Sequence, residues 1–163
     1  MKNKTEKARE LFLEGYNCSQ AVLGAFCEDL GLPFETALKI SSSFGGGMGR
    51  MREVCGALSG AFMVAGLSLG YANPTDKDAK AEHYRLIQAM AEEFKKENGS
   101  IICRELLGLS NSEKQSHIPD GRTAEYYKKR PCVQLVEIAA EIAEKAFEWR
   151  VVNLFVFKPI LYV

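Results

Sequence analysis

Apolar residues along this chain recur at intervals of three and four, the spacing of helices that bury one side. The pattern predicts a first helix over about Thr5 to Glu14, stopping near Gly15. A second follows from Cys18 to Asp29, with Asn17 as its cap and Gly31 just past its end. Pro33 precedes a short helix over Phe34 to Ser42. A glycine-rich segment then leads into a helix over about Glu53 to Leu69, closed by Gly70. "NPTD" at Asn73–Asp76 starts the longest helix, which ends near Glu97, and a short one runs from Ser100 to Leu107. Leu109–Thr123 is polar and reads as a loop. Pro131 suits the first position of a last long helix reaching about Phe147.

The pattern changes at Val151. "VVNLFVFKPILYV" is β-branched and aromatic without a helical period, and reads as an extended apolar segment. Such a segment packs on its own domain or on a partner rather than facing water, and a homodimer contact is one use for it. With no repeats and no linker, the 163 residues predict an all-α single domain. It is a bundle of about six to seven helices over residues 1–150, with an apolar extended C-terminal tail at 151–163.

Charge narrows the partners. There are 21 basic and 21 acidic residues, spread along the helices, so the chain lacks the basic face of a nucleic-acid binder, and no nucleic acid is expected. The N-terminal "MKNKTEKARELFLEG" is charged and amphipathic, unlike a secretory signal. The longest uncharged run, Val54–Thr75, is interrupted by glycines, serines, an Asn and a Pro. It reads as a buried small-residue helix, not a membrane span. A cytoplasmic, reducing location follows as the expectation, and with it no static disulfide framework.

The chemistry then rests on five cysteines: Cys18, Cys27, Cys55, Cys103 and Cys132. No CxxC and no CxxCH occurs, which sets aside thioredoxin, zinc-ribbon and c-type haem patterns. Four of the five, all but Cys27, fall in the first turns of predicted helices. Free backbone N–H groups and the positive end of the dipole favour a thiolate there, so lowered thiol pKa values are expected. Each of the four also heads an inward stripe, such as Cys132 above Leu135, Val136, Ala139 and Ala143. Cys27, nine residues after Cys18, lies half a turn round the same helix and reads as a packing residue. Buried cysteine is also an ordinary core residue, so these positions alone leave a non-catalytic reading open.

"FGGGMGR" at Phe44–Arg50 can present backbone amides to an anion, with Arg50 or Arg52 helping. It lacks a preceding strand and the G-x-x-x-x-G-K-[ST] pattern, so close backbone packing is the simpler reading. Gly56 and Gly60 share a helix face and suit either tight helix contact or close approach of a ligand to the Cys55 thiol. His83 lies on an apolar stripe and reads as a satisfied core or groove histidine, while His117 reads as solvated.

"GYNCSQAVLGAF" (15–26), "FGGGMGRMREVCGALSGAFMVAG" (44–66), "CRELLG" (103–108) and C-x-x-L-V (132–136) together resemble the C-GCAxxG-C-C family. The likeness spans about Leu11 to Ala146, with Cys18, the Cys55-Gly56-Ala57-x-x-Gly60 motif, Cys103 and Cys132 at the matching positions. It implies a small helical protein with a redox or metal role, encoded near transporters, so that association with a transporter is a further expectation. Split-Soret cytochromes are similar in part, but without their haem-attachment motif haem does not carry over.

Three functions therefore stand. The first is a thiol redox protein with Cys18 and Cys55 as the reactive pair, Cys103 and Cys132 as partner thiols, and a redox protein or small thiol as partner. The second is a metal or iron–sulfur protein using Cys18, Cys55, Cys103 and Cys132 as ligands. The third is an interaction module whose cysteines are structural.

Overall fold

The uncharged stretch after Cys55 forms the buried axis of the molecule. Helix α4 (Gly56–Leu69) carries Gly56, Ala57, Leu58, Ser59, Gly60, Ala61, Val64 and Ala65 inside the core. Small side chains on most sides let neighbouring helices approach it closely. Its neighbours are α2 (Cys18–Phe26) and the long α8 (Cys132–Val156), and α1 (Lys4–Leu13) bridges those two. These four helices hold most of the core, including Phe12, Leu23, Phe26, Leu58, Val136 and Ile142, each 2% exposed or less. Truncating an aromatic residue such as Phe26 here costs about 3–5 kcal/mol.

The computed structural model describes residues 3–156, with side chains up to residue 148. The remaining helices are peripheral. Helix α3 (Phe34–Ser41) lies on α2, and α5 (Lys77–Asn98) packs one edge on α4 and α8, burying Met90 and Phe94. The short α6 (Cys103–Leu106) and α7 (Ala124–Lys129) cap the end where α2, α4 and α8 begin. The all-α, single-domain architecture expected from the periodicity is thus observed. No strand forms among the described residues, and no helix among them is long and apolar enough to cross a membrane.

Two local differences have physical causes. Helix α7 forms directly after the Leu109–Thr123 loop, in a stretch to which the periodicity assigns no element: the Thr123 hydroxyl accepts from the Tyr126 N–H at 3.2 Å, and Glu125 and Lys128–Lys129 complement the dipole. Helix α8 continues through Val156, so residues 151–156 are helical rather than extended. Each residue added to an established helix gains one backbone hydrogen bond, which outweighs weak β propensity. The rest of the tail, residues 157–163, and any packing of it lie outside the described residues.

Candidate functional site

One end of the bundle is held together by a short backbone ladder. The N–H of Cys55 donates to the Ile101 carbonyl at 2.8 Å, that of Cys103 to Glu53 at 2.7 Å, and that of Arg104 to Arg52 at 3.1 Å. Val54 and Ile102 thereby form an antiparallel bridge. The ladder fixes two cysteines distant in sequence side by side, with Cys55 capping α4 and Cys103 opening α6.

Cys18 arrives from the other side. Asn17 accepts from the N–H groups of Ser19 (3.1 Å) and Gln20 (3.0 Å), and the Gln20 side chain returns a bond to the Asn17 N–H, completing a capping box. The Asn17 amide also donates to the Ser42 carbonyl at 3.0 Å, tying this helix start to the glycine segment. Cys132 opens α8 directly after Pro131. Cys18, Cys55, Cys103 and Cys132 then line one cavity of about 60 Å³. Cys27 does not; it is buried in the core at the far end of α2. All five cysteines are free thiols.

The glycines ahead of the motif are shaped by this site. A Cβ on Gly45 would fall 2.5 Å from Asn17 Cγ, and one on Gly47 would fall 2.7 Å from Cys103 Cβ and 2.8 Å from the Glu53 nitrogen. Gly46, Gly47 and Gly49 are also left-handed. The chain continues in the same unusual conformation through Met48, Arg50 and Arg52, whose φ values are 59°, 66° and 66°. The segment is a tight wrap over the thiols rather than a nucleotide loop.

Gly56 and Gly60 separate in role. A Cβ on Gly56 would lie 2.5 Å from Cys18 Sγ and 2.5 Å from the Phe44 carbonyl oxygen, so its missing side chain is the space that the Cys18 thiol fills. A Cβ on Gly60 would fall 2.8 Å from the Ser19 carbonyl oxygen and 3.0 Å from Val22 Cβ: this glycine seats α4 against α2, away from the cavity.

Burial reverses the expected direction of the thiol pKa values. It is the leading cause that pushes Cys55 well up, with Cys18 adding to it. Burial raises Cys103 as well, against the opposing Arg52 guanidinium, and pushes Cys132 up to about 12 from its ordinary 9.0. Helix amides lower a thiol pKa only when desolvation does not exceed them, and here it does. At neutral pH these three sulfurs are protonated.

The cavity also gathers arginines. Arg52, Arg122 and Arg130 line it, with Tyr126, Phe12 and Leu135. The Arg52 Nη1 points at Cys103 Sγ, 3.9 Å away, and its Nε donates to Gln115 Oε1 at 2.8 Å. Arg122 stacks on Phe12 and Tyr126 at 4.4 and 4.9 Å and donates to the Tyr16 carbonyl at 3.0 Å. Arg130 and Arg50 share Asp120 at 2.7 and 2.8 Å. Sequence reasoning missed Arg122, Arg130, Tyr126 and Gln115; their one signal was the cluster of basic and aromatic residues just ahead of Cys132.

Among the described residues no group of three or more His, Cys, Asp or Glu side chains is set to hold a metal ion. His83 lines a separate groove beside Tyr71 and Leu86, and its Nδ1 is buried without a hydrogen-bond partner, so it is not the satisfied histidine expected.

No curated protein and no solved structure matches this chain. The family model described as "Putative redox-active protein (C_GCAxxG_C_C)" matches residues 16–146. The chain belongs to that family.

Proposed function

We propose that the protein exchanges thiols for disulfides through the cysteines of the cavity, with Cys18 and Cys55 as the pair. The observation that carries this reading is the convergence of four free thiols from four separate helix starts on one enclosed space. Cys18 is the half-buried, approachable member, and Cys55 behind it is 4% exposed. Cys18 is also the first neighbouring group to act on the Cys55 thiol after burial itself.

The step balances with a partner disulfide as oxidant. The Cys18 thiolate attacks one sulfur of that disulfide, whose S–S bond breaks and whose other sulfur leaves as a thiolate. Cys55 passes its proton to the departing thiolate and attacks Cys18 Sγ. The Cys18–Cys55 bond forms and the mixed disulfide breaks. Two electrons and the Cys55 proton pass to the partner, its second departing thiolate takes up from solvent the proton that Cys18 released on ionising, and the partner leaves as a dithiol. Cys103 and Cys132 stand close enough to the same space to act as a second pair or to accept the disulfide. Arg52, beside Cys103, stabilises any thiolate that forms there.

Anaerobic purification, metal analysis and thiol counting before and after a small disulfide oxidant test this reading. A metal-free protein that reversibly loses one pair of thiols is expected, with Cys27 still free and with the loss abolished by Cys55→Ser. Thiols that stay inert in the native protein would overturn it. Stoichiometric metal lost in Cys55→Ser would replace it with a metal-binding role.

A further inference from the structure

Arg52 is 3% exposed, yet its two partners, Gln115 Oε1 and Cys103 Sγ, belong to neutral groups. No carboxylate reaches ion-pair distance of it among the described residues. Asp120 pairs with Arg50 and Arg130 and acts on Arg52 from further off, and among the described residues the partners of Arg122 are carbonyl oxygens and aromatic faces. One exposed carboxylate set against three guanidiniums leaves the desolvated Arg52 without an ion pair of its own, a costly state that a bound anion relieves. The neighbouring thiols do not supply it while burial keeps Cys55, Cys103 and Cys132 protonated.

We propose that the cysteine-lined cavity is a binding site for a small inorganic oxyanion, held by Arg52 with Arg122 and Arg130. Three helices of eight residues or more, α2, α4 and α8, begin at the cavity wall, and the positive ends of their dipoles favour the same sign of ligand. The volume sets the size. About 60 Å³ holds about four water-sized positions, which suits an ion of four or five heavy atoms. Nucleotides and drug-sized ligands need about 300 Å³ or more and are excluded. A planar guanidinium meets two oxygens of such an ion through parallel N–H bonds, a fit that a halide does not offer. The site differs from a glycine-loop phosphate cradle: the glycines hold the wrap in place, and the buried guanidinium carries the charge.

This binding stands apart from thiol exchange, and the two fail separately. The test is a titration of the reduced protein with sulfate in chloride buffer at constant ionic strength. It is followed by calorimetry and by the assigned arginine Nε–H resonances. Saturable one-site binding with a shift of the Arg52 resonance is expected. Arg52→Gln weakens sulfate by about tenfold or more. Arg85→Gln, on the exposed side of α5, leaves it unchanged. Absence of saturable sulfate binding by the wild-type protein overturns the proposal, as does equal binding by Arg52→Gln. If Arg52→Gln fails to fold, the wild-type Arg52 resonance decides: an unmoved signal at saturating sulfate overturns it. A protein that forms the disulfide but ignores sulfate keeps the exchange reading and loses this one, and inert thiols with sulfate bound do the reverse.

Discussion

Helix α2 has a cysteine at each end. Cys18 opens it at a capping box, against the Cα of Gly56 and among three other thiols. Cys27 closes it, packed in the hydrophobic core, with Lys7 and Glu28 as its nearest charges. Burial raises the pKa of Cys27 in the same direction as those of Cys55, Cys103 and Cys132, so the direction of the shift does not set the cavity thiols apart. What differs is company: the Cys18 end has other sulfurs, guanidiniums and a cavity, whereas the Cys27 end has close packing.

The sharpest way to break the comparison is a single methyl group at each end. Gly56→Ala places a Cβ against Cys18 Sγ and a backbone carbonyl, and should cost about 3 kcal/mol of stability in urea unfolding. Gly31→Ala, just past the Cys27 end, meets nothing within 4 Å but has a φ of +63°, and should cost about 1 kcal/mol. Equal costs would mean that the site end is as loosely fitted as the other.

Alkaline pH is the next probe. Cys132 binds its proton more tightly folded than unfolded, so the folded state holds more protons once pH passes 9.0. Its contribution is complete below that pH and is lost progressively as pH rises toward about 12. Urea midpoints measured across this window should fall, and Cys132→Ser should flatten the slope. Cys27→Ala should cost about 1–2 kcal/mol through lost packing, with oxidation of the remaining thiols unaltered. The smallest effect expected is from Glu28→Gln, which removes the exposed partner of Lys7 and should shift the urea unfolding free energy by less than about 0.5 kcal/mol.

How much of this was legible beforehand follows from what sequence encodes locally. Asn17 with Gln20, Pro131 before Cys132 and the small-residue run after Cys55 are local signals, and the helices they mark formed within a few residues of expectation. Angular arithmetic on one helix sets Cys27 apart from Cys18, and Cys27 lies in the core outside the cavity. The direction of the thiol pKa values was misread because dipoles can be placed from a helix start, whereas desolvation depends on what covers the start. That cover is Arg52, Arg122, Tyr126 and Leu135, drawn from one segment at Arg52 and another that begins only at Arg122, far along the chain. Gly56 and Gly60 looked alike for the same reason. Which of them faced a thiol and which a helix was decided by the position of α2.

The order of the cysteines along the chain has a consequence for biosynthesis. Cys18, Cys55 and Cys103 are synthesised before Cys132, and α8, which packs on α1 and α4, is made after both of them. Until it docks, the early thiols lack their enclosure and are open to any passing oxidant. A nascent chain halted before residue 132 should therefore be alkylated and mispaired far faster than the finished protein. The vulnerable period for this molecule is its own translation.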